Sequence, residues 1–189
     1  MITSPDKHYM APAAYLEWEP QQELRYEYVD GEAYAMTGST ILHNAIAVNL
    51  IAALRSHVRG SAFRVLALDA KIGITGQGSF FYPDVLVTCD ERDRRAIQFV
   101  QFPCLIVEVL SQTTEAYDRG AKFSQYRRLA SLREYVLINS DQISVEIFRL
   151  NERGKWELTP YAINDTIQLT SIDFQFPIDL LYEEVELLS

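Results

Sequence analysis

The run PCLIVEVL, Pro103 to Leu110, constrains this chain more than any other stretch. It is too short for a helix and apolar on both faces, which suits a central strand covered from both sides. Such a strand needs neighbours in a sheet and a layer on each face. One residue runs against that character. Glu108 shares a face with Ile106 and Leu110, because strand side chains alternate. A lone buried carboxylate is costly, so it must be protonated, paired with a cation or bound to a metal. The plain alternative is an ion pair at the strand end.

The rest of the chain supplies the partners such a strand needs. The 189 residues fit one domain, 1–189, and a 48% hydrophobic content excludes disordered and collagen-like chains. No apolar run approaches a membrane span. The start, MITSPDKHYMAPAAYLEWEP, has no basic region followed by an apolar one, so it does not read as a signal peptide. Cys89 and Cys104 lie in or beside apolar runs without zinc-like spacing and read as buried thiols of a cytoplasmic protein.

APAAYLEWE reads as a short helix, and RYEYVDGEAYAMTG as a hairpin turning at Asp30-Gly31. Ser39 and Thr40 offer caps for a helix over ILHNAIAVNLIAALRSHV, stopped by Gly60. FRVLALDAKIGI and FFYPDVLVTCD read as strands around a turn at Gly76 to Gly78. A charged loop, ERDRRA, leads to PCLIVEVL. A second long helix is expected from about Glu115 to Ala130, then strands EYVLINS, ISVEIFRL, WELTPY and TIQLTS, and a small helix in the tail. The order predicts a mixed α/β fold: a central mixed twisted sheet flanked by helices, with an N-terminal hairpin.

A chemical constellation gathers around Glu108. Asp84, just after Pro83, opens another apolar strand; Pro-Asp also simply makes turns. Two carboxylates on neighbouring central strands make a candidate site for Mg²⁺, which takes hard oxygen ligands and keeps several waters. Lys122 sits on the same side of its helix as Tyr126 and Leu129. Glu108 is roughly 7 Å from its strand end, and Lys122 roughly 10 Å into the helix, so the two meet at similar height. A lysine that snorkels to solvent is the ordinary alternative. Two acids with a metal, plus a nearby ammonium, are the minimal kit for phosphodiester hydrolysis. A net charge of -9 argues against a protein that coats nucleic acid by bulk electrostatics, so a local basic patch is required. Arg119, Arg127, Arg128 and Arg133, with Arg92, Arg94 and Arg95 on the preceding loop, are the candidates. Asp69 and Lys71 in LDAKI read as an ion pair on one strand face.

YEYVDGEAYAMTGST, YPDVLVTCD and CLIVEVLSQTTEAYDRGAKFSQYRRLASLREYVLIN together resemble the Uma-type restriction-endonuclease family, over nearly the whole chain. The resemblance implies a fold like that of the PD-(D/E)xK nucleases. It matches Asp84 to the motif aspartate and Glu108 to the motif acid. The wider pattern places lysine two residues after the acid, where this chain has Leu110. In the Uma-type subset the lysine has moved to the following helix, and Lys122 fits. The resemblance further implies a metal, Mg²⁺ or Mn²⁺, on Asp84, Glu108 and the Val109 carbonyl. His43, and Glu27 or Glu32 from the hairpin, are accessory candidates, and Arg119 a candidate for substrate phosphate. The expected partner is DNA, with RNA left open, and the expected assembly a homodimer. The alternatives are a nuclease-fold module that binds nucleic acid or protein without turnover, and a plain interaction protein.

Overall fold

Strands whose alternate residues are all apolar build the centre of the molecule. The structure is a computed structural model and describes residues 2–3, 9–36, 38–74 and 78–187. Strands are numbered along the chain. The main sheet has six: β4 (Arg64–Ala67), β7 (Val85–Thr88), β8 (Pro103–Leu110), β9 (Glu134–Asn139), β10 (Ser144–Leu150) and β11 (Trp156–Ala162). Their order is β11-β10-β9-β8-β7-β4. A five-stranded sheet joins β1 (Ile2–Thr3), β2 (Tyr26–Val29), β3 (Glu32–Ala35), β5 (Ile72–Ile74) and β6 (Ser79–Phe81) in the order β1-β3-β2-β6-β5. β12 (Thr166–Leu169) and β13 (Phe174–Pro177) form a separate antiparallel pair. β8 pairs parallel with β9 and antiparallel with β7, so the main sheet is mixed. The fold is therefore the mixed α+β class expected.

PCLIVEVL is β8 over its full length, with sheet neighbours on both edges. Its alternation sorts the core into two layers. Leu105, Val107 and Val109 join Val85, Val87, Val136 and Ile138 under α2 (Ile41–His57), which contributes Ile46, Leu50 and Leu54. Ile106 and Leu110 join Leu86, Tyr135 and Leu137 on the other face, under Phe123, Tyr126, Leu129 and Leu132. Glu108 lies on this second face, 3% exposed. α2 is capped by Thr40, whose hydroxyl accepts from the His43 N–H. α1 (Pro12–Trp18) starts on a proline, whose missing N–H costs nothing there.

Several elements depart from the sequence reading. LDAKI is not continuous strand: β4 ends at Ala67, and Leu68 takes φ 60°. Alternation across that break fails. Asp69 meets Arg25 and Lys71 meets Glu19 instead of each other. Thr75, Gly76 and Gln77 lie outside the described residues. The loop after Cys89 holds a short helix, α3 (Glu91–Arg94), capped by Asp90. The expected long helix is split into α4 (Glu115–Tyr117), a wide π turn over Asp118–Lys122, and α5 (Phe123–Tyr126), and it stops short of Ala130. The tail forms β13 and a 3₁₀ turn over Ile178–Tyr182. Cys104 is partly covered, but Cys89 is exposed, because β7 ends at Thr88 and Cys89 lies past it. Among the described residues no helix is long and apolar enough to cross a membrane.

Candidate active site

The end of β8 brings three acids to one ammonium, with a fourth beside them. Lys122 projects from the π turn onto the sheet and is 6% exposed. Its Nζ stands 3.0 Å from Glu108 Oε1, 3.0 Å from Glu27 Oε1 and 3.5 Å from Asp118 Oδ1. The Tyr126 hydroxyl donates to the same Glu108 oxygen at 2.9 Å. The Lys122 and Tyr126 contacts both fall on Glu108 Oε1.

Asp84 completes the group from the neighbouring strand. Val85 pairs with Val107, so Asp84, one residue earlier, faces the Glu108-Val109 peptide. The Val109 N–H donates to Asp84 Oδ2 at 2.7 Å, so the Val109 main chain lies against this carboxylate. His43 Nε2 meets Asp84 Oδ1 at 2.9 Å. A carboxylate here only accepts, so Nε2 carries the proton. His43 Nδ1 is buried and without a partner among the described residues.

The charges do not balance. Burial pushes the Glu108 carboxyl well above the ordinary carboxylate range, with Lys122 opposing the shift and Asp118, Asp84 and Glu27 adding to it. Burial likewise raises Asp118, again against Lys122. The Lys122 ammonium loses hydration, yet Glu108 and Glu27 hold it well above the usual lysine value. It stays charged. Three acids on the one ammonium, with Asp84 beside Glu108, are more acid groups than that cation can balance.

Among the described residues no three His, Cys, Asp or Glu side chains converge as a ready metal cage. A hard divalent cation that keeps several waters needs fewer protein ligands. Two carboxylates on neighbouring strands, beside a main chain and surplus acid groups, suit such an ion. The fit rests on the donor chemistry and on that surplus.

The sequence candidates divide. Asp84, Glu108, Lys122, Val109, His43 and Glu27 come together. Glu32 lies on β3 and accepts from the Tyr34 hydroxyl at 2.7 Å. The Arg119 guanidinium is held by Glu115 at 2.7 Å and by Glu146. Asp118 escaped the sequence reading, and Tyr126 was read only as sharing Lys122's side of the helix. Asp118 stands four residues from Lys122, and that spacing was the available signal. A second buried cluster escaped too. Lys71 Nζ meets Glu19 at 3.0 Å and stands 4.7 Å from the Tyr15 ring centroid, while the Tyr82 hydroxyl donates to Glu19 at 2.8 Å. The Tyr82 N–H points at Glu27 Oε1, 3.3 Å away, and so links the two clusters.

Comparison with known proteins agrees with this architecture. The chain is 40% identical over 173 residues to the uncharacterized protein slr1290 of Synechocystis sp. (strain ATCC 27184 / PCC 6803 / Kazusa), covering 92% of this chain and 91% of that one. It is 31% identical over 152 residues to sll1609 of the same organism, also uncharacterized, covering 79% and 86%. A crystal structure of "a putative nuclease belonging to DUF820" from Anabaena variabilis ATCC 29413 superposes with a TM-score of 0.72 at 18% identity, covering 92% of this chain and 98% of that one. At that identity it speaks for the fold alone. The model of the Uma2 family, described as "Putative restriction endonuclease", matches residues 12–179, and this chain belongs to that family.

Proposed function

We propose that this chain is a nuclease that hydrolyses phosphodiester bonds in DNA, using Mg²⁺ or Mn²⁺ held by Asp84, Glu108 and the Val109 carbonyl. The observation that carries the reading is the meeting of Asp84 with Glu108 and Val109 at one strand end, with the Lys122 ammonium 3.0 Å from Glu108. When bound, such a cation supplies Lewis-acid polarisation of a phosphate and acidifies a water.

The protein's own groups have separable tasks. The His43 Nε2–H and the Val109 N–H fix both oxygens of Asp84, so its remaining lone pairs are aimed before any ligand arrives. Tyr126 and Lys122 fix Glu108 through Oε1. Lys122 does not act as a base, because its neighbours hold its proton. It contributes fixed positive charge, which stabilises a phosphorane-like transition state electrostatically.

A second reading draws on the same ammonium. Three carboxylates surround Lys122, which suits a module that keeps the fold and binds without turnover. Calorimetric titration of Mg²⁺ and Mn²⁺ into wild type and an Asp84→Ala/Glu108→Ala variant separates them. Saturable binding lost in the variant, with metal-dependent cleavage of DNA by wild type, is the expected result. Equal, negligible binding together with no cleavage would leave the non-enzymatic module.

A further inference from the structure

The arginines singled out in the sequence do not surround the acids. β7 leaves the acid cluster at Val85 and ends at Thr88, where α3 begins. β8 returns from that end, so Arg92, Arg94 and Arg95 lie at the pole away from Glu108. Arg133 directly precedes β9, which runs parallel to β8 from the same pole, and its N–H bonds the Cys104 carbonyl at 2.9 Å. Arg127 and Arg128 follow α5 within the same connection. Pro103 to Glu108 spans roughly 17 Å at strand rise.

A chain of contacts joins the two segments that carry these arginines. The Ser131 hydroxyl donates to the Pro103 carbonyl at 2.7 Å. The adjacent Phe102 carries the Arg92 guanidinium 3.4 Å above its ring centroid. Beside it opens a cavity of about 490 Å³ lined by Arg92, Arg95, Ile97, Phe99 and Phe102 among others. Acid offsets the first group, since Asp90, Glu91 and Asp93 stand among Arg92, Arg94 and Arg95. Asp90 and Glu91 pair with Arg92 and Arg94. Asp93 is buried and is engaged by the Thr88 hydroxyl and the N–H groups of Gln101 and Phe102. Among the described residues Arg95, Arg127, Arg128 and Arg133 are exposed and have no carboxylate partner. In a chain of net charge -9 the positive surface is therefore the second group, Arg127, Arg128 and Arg133, with Arg95 beside the cavity.

We propose that this arginine pole docks nucleic acid through its phosphates, at a distance from the acids. The choice of nucleic acid as occupant rests on the nuclease reading and on charge complementarity. Backbone contacts of this kind set affinity and position rather than base sequence.

Anisotropy of a short fluorescent DNA duplex, measured in EDTA across a salt series, tests it. An Arg127→Ala/Arg128→Ala/Arg133→Ala variant should bind about tenfold or more weakly, with a log affinity against log salt slope shallower by about three. Because Arg133 also bonds main-chain carbonyls, the Arg127→Ala/Arg128→Ala variant serves if the triple fails to fold, with the slope shallower by about two. Asp84→Asn should bind at least as well as wild type. Wild-type affinity in the arginine variants, or no duplex binding by wild type, would overturn the proposal. So would equal displacement by polyglutamate and by unlabelled DNA, which would assign the pole to an acidic protein. Cleavage is scored separately. Binding without cleavage would sink the nuclease reading and leave the docking surface standing, whereas cleavage with unchanged binding in the variants would do the reverse.

Discussion

Glu108 is the residue whose environment decides most. Its folded value and that of Asp118 lie above their ordinary values of 4.5 and 3.8. The folded state therefore holds these protons more tightly than the unfolded chain. Their contribution to stability is whole below about pH 4 and is lost as pH rises through the raised folded values. Glu108→Gln keeps the shape and removes one charge, while Lys122 retains Glu27 and Asp118 as partners. In metal-free buffer at pH 7 it should be more stable than wild type by on the order of 1 kcal/mol, a few degrees in Tm, with the gain shrinking toward pH 4. Thermal melts across that range check this, and a Glu108→Gln variant less stable at every pH would refute it. Lys122→Met works the other way. It strands three acids, which should cost about 3–5 kcal/mol, and more at pH 8 than at pH 5. Much of this was legible in the sequence. A carboxylate inside PCLIVEVL had to have a cationic or protonated resolution, and helical spacing aimed Lys122 at it. The number of acids was only partly legible, because the hairpin offered Glu27 or Glu32 without choosing between them and Asp118 went unread.

At the scale of elements, continuous apolar alternation was readable and interruptions were not. β8 and both of its faces follow from period two alone. The π turn at Asp118–Lys122 leaves no mark in the apolar pattern, because Phe123, Tyr126 and Leu129 still face the core across it. Leu68 breaks β4 from β5 with a left-handed backbone that no periodicity announces, and the Asp69–Lys71 pairing went with it. Two glycines give contrasting predictions. A Cβ on Gly120, inside the π turn, meets nothing within 4 Å. Gly120→Ala should stabilise by about 0.5–1 kcal/mol through backbone entropy and propensity. A Cβ on Gly73 would come within 2.7 Å of the Phe99 ring. Gly73→Ala should destabilise by about 1–3 kcal/mol unless that ring moves. Chemical denaturation of the two variants side by side reads both, and equal effects would show that the turn geometry is not what limits Gly120.

For the whole molecule, the poles differ in sign, and ligands should report it. A divalent cation that binds only the folded state stabilises it by mass action. Mg²⁺ should raise the Tm of wild type at pH 7 and do so less at pH 5, where protons already occupy the acid cluster. Asp84→Ala/Glu108→Ala should lose the effect at both. An equal rise in that variant would mark the shift as nonspecific screening. Composition alone could not foresee such polarity, since a net charge is a sum and carries no position.

The parallel pairing of β8 with β9 has a consequence in time. Antiparallel neighbours can zip from a tight turn, but these two strands meet only after the whole connection through residues 111–133 has closed into place. That connection is the one that carries Asp118, Lys122 and Tyr126. Glu108 thus acquires its ammonium in the same kinetic event that docks its parallel neighbour. Before that event the most apolar strand of the chain carries a bare, hydrated carboxylate, which discourages the premature strand from stacking on its own copies.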